Sequence, residues 1–153
     1  MTWKDDFIEY AEKQAPDEAC GLVAIVEGKE IFWPCKNIAE DQFEFFALDP
    51  EDWAECEDKG GEILGVVHSH PTGSSQPSDG DKASCEYVGY PYYIYSIEHK
   101  SWNTVKPSGW KAPSLIGRRW VWGQQDCWTV ICDWFKETKN IDKLKNAWIP
   151  FGD

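Results

Sequence analysis

The sequence predicts a mixed α/β fold: a β-sheet flanked by helices, with a short helical segment at the C-terminus. Three observations carry that expectation. Apolar, β-rich runs alternate irregularly with segments that have helix caps, an order that suits neither a helical bundle nor a β-sandwich. The 153 residues are 42% apolar and 15% aromatic, enough for a packed core and too rich for disorder. Charge is unevenly spread: residues 1–116 carry 9 Lys and Arg against 22 Asp and Glu, whereas residues 117–153 carry 6 against 5.

The elements follow in order. Thr2 with Asp5 reads as a capping box, and Trp3, Phe7, Tyr10, Ala11 and Gln14 share one helix face. Pro16 ends that helix. Cys20–Glu27 and Glu30–Cys35 read as strands, separated by Gly28-Lys29 as a hairpin signal. Phe43–Leu48 is a third apolar run. Asp49 as N-cap and Pro50 at the first helical position open an acidic helix that runs to about Lys59, where Gly60-Gly61 stops it. Glu62–His68 reads as a buried strand through Ile63, Leu64, Val66 and Val67. Residues 71–78 are a loop rich in Gly, Ser and Pro, and Asp79–Tyr87 starts a helix. Pro91–Ile97 and Trp102–Val105 are the last strands of this module, the second an edge. The turn-rich stretch 107–116 reads as a linker, so the chain divides into a module over 1–106 and a C-terminal piece over 117–153.

Composition excludes several roles. A formal charge of −12 argues against nucleic-acid binding through a basic face and against a polybasic membrane anchor. The longest apolar run, around Leu22 to Val26, is far too short to insert across a membrane, and the acidic start MTWKDDF lacks the apolar core of a signal peptide. The six Cys show no C-x-x-C spacing, which disfavours a zinc ribbon or a thioredoxin-like motif and suits reduced thiols in a soluble intracellular protein.

Only three His are present. His68 and His70 stand two apart at the end of a strand, so both imidazoles emerge on one face. Asp81, at the start of the next helix, can be brought back to them by the 71–78 loop. Two neutral imidazoles and one carboxylate are a usual protein ligand set for a catalytic zinc, although the ligand types also admit iron, cobalt or manganese. Such sites need a general base near the metal, and Glu18 lies at the edge of the sheet just before a strand. Ser78 could donate a hydrogen bond to a developing oxyanion. His99 reads as a solvated turn residue.

The string Glu18, then His68-Ser69-His70, seven residues, Ser78, two residues, Asp81 resembles the pattern of the JAMM/MPN metallopeptidase family over roughly residues 3–106. The resemblance implies a cytidine-deaminase-like sheet and a zinc-dependent peptidase or isopeptidase acting on a protein or peptide. It also implies His68, His70 and Asp81 as ligands, Glu18 as general acid/base and Ser78 as oxyanion donor. Further on, Trp122-Gly123 with Asp126-Cys127 opening an apolar helix resembles the start of an NlpC-like cysteine peptidase domain, a family that cuts bacterial cell walls. Trp128, Ile131 and Trp134 or Phe135 would form that helix's buried face. Cys127 would be a nucleophile remnant or a plain core thiol, because no His follows His99 to pair with it. A longer chain supplying that His would make a cell-wall cysteine hydrolase, with peptidoglycan as a partner. The two motifs in this order are similar to phage tail tip assembly proteins. That implies tail tip proteins as partners and the bacterial host cytoplasm during assembly as location, with the virion tail as a second place. The alternative to a peptidase is a non-catalytic, metal-stabilised assembly scaffold. It is motivated by residues 40–62, which hold ten Asp and Glu against one Lys.

Overall fold

Capping places the first helix as the sequence predicts: the Asp5 carboxylate accepts from the Thr2 N–H at 2.7 Å and from its hydroxyl at 2.9 Å. The computed structural model describes residues 1–111 and 127–140. From that cap α1 (Trp3–Gln14) runs with Phe7 and Ala11 buried. Next come β1 (Cys20–Val26), β2 (Lys29–Cys35), α2 (Pro50–Asp58), β3 (Glu62–His70), α3 (Asp79–Val88), β4 (Tyr92–Ser96) and β5 (Ser101–Val105), and then α4 (Cys127–Lys139).

The five strands form one sheet in the order β2-β1-β3-β4-β5. β3 and β4 are parallel, joined across α3, and the other neighbours are antiparallel. The central strands are covered on both faces, which is why their sequences are almost continuously apolar. One face packs Val23, Val67 and Tyr95 against Phe7 and Ala11 of α1. The other packs Leu22, Val66 and Tyr92 against Cys56 of α2 and Cys85 of α3, with Cys35 beside them. Phe7 and Leu22 are fully buried, each contributing about 1.5–3 kcal/mol of apolar transfer. Cys20, Cys35, Cys56 and Cys85 are buried free thiols, and burial pushes the Cys35 thiol up to about 12.

Several details differ from the sequence reading. The β1–β2 turn centres on Glu27-Gly28, both at positive φ, because Val26 pairs with Lys29 and draws Lys29 into β2. β3 continues through His70, so both histidines lie within the strand. The apolar run 43–48 makes no strand beyond a single bridge from Leu48 to Asn37. The Asn37 side chain occupies backbone groups there that a ladder would need, accepting from Ala39 and Ala47 N–H and donating to the Phe45 carbonyl. Among the described side chains of α4, Ile131 and Trp134 are exposed and Cys132 is buried. Spaced i and i+3, Ile131 and Trp134 share one side of the helix. Cys127 is the first residue of α4, but its side chain and those of Trp128 and Phe135 lie outside the described residues, as do 112–126 and 141–153. Among the described residues no helix is long and apolar enough to cross a membrane.

Candidate metal centre

The last turn of chain before α3 builds the site. Ser78 is the N-cap of α3: its Oγ accepts from the Asp81 N–H at 3.1 Å, and the Asp81 carboxylate accepts from the Ser78 N–H at 2.9 Å. This capping box turns the Asp81 side chain back toward the end of β3. There Asp81 Oδ1 lies 3.0 Å from His68 Nε2, and Oδ2 lies 3.1 Å from His70 Nε2. The two Nε2 atoms are 3.2 Å apart.

Each imidazole is held by its surroundings. His68 is fully buried, with its ring stacked on Phe46 at 4.3 Å and edge-on to Tyr92. His70 Nδ1 lies 2.8 Å from the Ser74 carbonyl. A carbonyl only accepts, so Nδ1 carries the proton, and in the neutral ring the Nε2 lone pair is left facing His68 and Asp81.

The donors fit a metal ion. One ligand atom from each of His68, His70 and Asp81 lies within 4.8 Å of the others. His68 Nδ1 is buried with no hydrogen-bond partner among the described residues. A proton can bridge only one pair of these donors, whereas a divalent cation satisfies all three at once. Two neutral nitrogens and one anionic oxygen are the protein share of a catalytic zinc site. Burial disfavours the charged form of Asp81, but the two imidazoles outweigh it and hold the carboxyl well below the usual range. Burial likewise opposes protonation of His70, yet its hydrogen bonds to Asp81 and to the Ser74 carbonyl prevail and raise its pKa.

Glu18 reaches the same place by a different route. It precedes β1 and is half-buried, and it lines a cavity of about 230 Å³ with His70, Ser78 and Asp81. Its N–H donates to the Gln42 carbonyl at 2.7 Å. Its own carbonyl accepts from Asn37 Nδ2 at 2.9 Å. One residue further on, Ala19 N–H donates to Ser69 Oγ at 2.9 Å and Ser69 N–H donates to the Ala19 carbonyl at 2.9 Å. Ser69 thus ties the Glu18 segment alongside the two histidines. Ser78 Oγ accepts from backbone, so its hydroxyl proton stays available to donate into the cavity.

Four of the five sequence-predicted residues, Glu18, His70, Ser78 and Asp81, therefore line one cavity, and the fully buried His68 meets them behind it through its Nε2 contacts with Asp81 and His70. Asn37 and Phe46 have no role in the sequence reading, and Ser69 enters it only as the middle residue of the His68-Ser69-His70 string. Asn37 offered only a polar residue directly after a strand.

Residues 2–107 match the family model described as prokaryotic homologs of the JAB domain. The chain is 37% identical over 138 residues to Tail tip assembly protein K of Escherichia phage N15, covering 90% of this chain and 56% of that protein. It thus spans about half the length of that curated relative. It is 29% identical to the Desampylase of Haloferax volcanii, covering 61% of this chain and 75% of that one. A solution structure of a protein from Desulfitobacterium hafniense is 25% identical, covers 67% of this chain and 76% of its own, and superposes with a TM-score of 0.55.

Proposed function

This chain belongs to the prokaryotic homologues of the JAB domain, and from that premise we propose that it is a zinc-dependent peptidase or isopeptidase acting on a protein during phage tail tip assembly. The observation that carries the chemistry is the convergence of His68, His70 and Asp81 on one point beside Glu18 and Ser78. The similarity to a tail tip assembly protein supports the setting, with tail proteins as partners and the host cytoplasm as the place of action. A relative named for desampylation supports hydrolysis as the type of reaction.

His68, His70 and Asp81 would hold the ion. When bound, zinc supplies Lewis acidity, polarising a carbonyl and lowering the pKa of a coordinated water toward ~7. Glu18 takes a proton from the attacking water and delivers it to the nitrogen of the leaving amine, so that no amide anion has to be expelled. The Ser78 hydroxyl donates to the carbonyl oxygen as negative charge develops on it. Phe46 excludes water from the His68 side of the site.

Reconstituted protein is expected to hold one zinc per chain and His68→Ala none. Glu18→Gln is expected to keep the zinc and lose about 10²–10⁴-fold in cleavage of a co-expressed tail protein. Unchanged assembly of infectious tails with Glu18→Gln would instead favour a metal-stabilised scaffold.

The C-terminal piece, 117–153, we assign by resemblance to the start of an NlpC-like segment, separated by the 107–116 linker from the module over 1–106. Cys127→Ser should leave zinc-dependent cleavage unchanged.

A further inference from the structure

We propose that the β2–α2 loop, residues 36–49, selects the substrate of this site: it takes a peptide that lays an apolar side chain on Phe43 and Phe45 and carries Lys or Arg next to it. The inference rests on the peptidase reading above and names its substrate class.

Phe43 and Phe45 are 45% and 37% exposed, although side chains of this size and polarity normally bury. Both line the cavity that holds Glu18, His70, Ser78 and Asp81. Their exposure does not come from a slack loop. Asn37 fastens it through four hydrogen bonds: Nδ2 donates to the Glu18 and Phe45 carbonyls at 2.9 Å, and Oδ1 accepts from Ala39 at 3.0 Å and Ala47 at 3.1 Å. Two partly exposed aromatic side chains are therefore held beside the candidate chemistry, where a peptide side chain can pack on their exposed parts.

Charge decides what flanks that side chain. Glu40, Asp41 and Glu44 stand exposed on the same loop. Between residues 36 and 62 the only Lys or Arg are Lys36 and Lys59, and Lys59 is paired with Glu55 at 2.9 Å and lies over the Trp33 ring. Within the loop itself, residues 36–49, Glu40, Asp41, Glu44 and Asp49 stand against Lys36 alone, so its own charge is negative. A cationic neighbour in the peptide is attracted and an acidic one repelled, a discrimination that works through repulsion as much as attraction. The backbone of Glu18 is bonded to this loop through Gln42 and Asn37, so a peptide seated on the loop also bears on the position of the carboxylate.

The test uses the full 153-residue chain carrying Glu18→Gln, zinc-loaded, with three fluorescein-labelled hexapeptides read by anisotropy at low salt. One peptide is apolar and basic, one apolar and acidic, one polar and basic. The first is expected to bind about tenfold tighter or more than either of the others. Phe43→Ala with Phe45→Ala should erase the apolar preference and keep the charge preference. Glu40→Lys with Glu44→Lys should reverse the charge preference. Equal affinities, absent binding, or preferences that survive both double variants overturn the assignment. Unsubstituted, zinc-loaded protein then separates the two readings. Selective binding without cleavage sinks the peptidase and leaves the loop standing. Cleavage without selectivity sinks the loop and leaves the peptidase.

Discussion

The two halves of the candidate site are built by different means. The ligand half comes from regular structure: the last residues of β3 and the first turn of α3, closed by the Ser78–Asp81 capping box. The base half has almost none. Glu18 precedes β1, and its backbone is held by an irregular loop through Gln42 and by the side chain of Asn37. The ligand half owes its geometry to strand alternation and a helix cap, both local and both stiff. The base half owes its geometry to where a loop lies, so Glu18 can be displaced without unmaking the triad.

Asp81→Ala should have the largest effect on this contrast, because it removes a ligand and half of the capping box together. Zinc affinity is expected to fall by more than the ~10–100-fold typical of losing an outer-shell partner, with about 1 kcal/mol of stability lost from the cap. Isothermal titration and a denaturant melt read the two effects separately.

Asn37→Ala is the converse experiment. It leaves the Glu18 and Phe45 carbonyls and the Ala39 and Ala47 amides without their partner and should cost about 1–3 kcal/mol. Zinc should still bind at one per chain. Loss of zinc in Asn37→Ala would show that the halves are not separable.

Acidity bears on the ligand half through His70 and Asp81. The folded-state pKa of His70 lies above its unfolded value of 6.5. In metal-free protein its protonation therefore stabilises fully below pH 6.5, and that stabilisation is lost as pH rises through the folded pKa. Asp81 works in the opposite sense, stabilising above 3.8 and losing that as pH falls toward its depressed folded pKa. Zinc requires neutral His70, so apparent affinity should weaken by about tenfold per unit below the folded pKa of His70. The rise in Tm on adding zinc should shrink accordingly between pH 8 and pH 6.

Ser69→Ala gives the smallest expected change. The Ala19 N–H loses its acceptor, at a cost of about 1 kcal/mol or slightly more. Ser69→Thr, which keeps the hydroxyl, should restore most of it. Equal stabilities of the Ala and Thr variants would remove Ser69 from its place between the halves.

The same division explains what could be read beforehand. Helix starts at Thr2 and Asp49 are legible because caps are local chemistry, and β3 is legible because an apolar run buried on both faces has few alternatives. The triad was legible because alternation along a strand and a helix cap convert spacing into geometry. The course of residues 36–48 was not. The apolar run there carries no signal of where its backbone groups go; Asn37 captures them, and Phe43, Phe45 and Phe46 line the cavity. The turn at Glu27-Gly28 was misplaced by one residue because the pairing of Val26 with Lys29 decides it, and that pairing belongs to the sheet.

The thiols packed beneath the site set the terms on which this chain can be unfolded and recovered. While the sheet is closed, burial keeps Cys20 and Cys35 neutral and out of reach of oxidants. Once it opens, each returns to an ordinary thiol pKa near ~8.5, and four cysteines on β1, β2, α2 and α3 become competent for exchange together. In air, cross-linking then competes with refolding. A melt recorded without reductant would measure how fast the sheet opens, and not the balance between the folded and open chains.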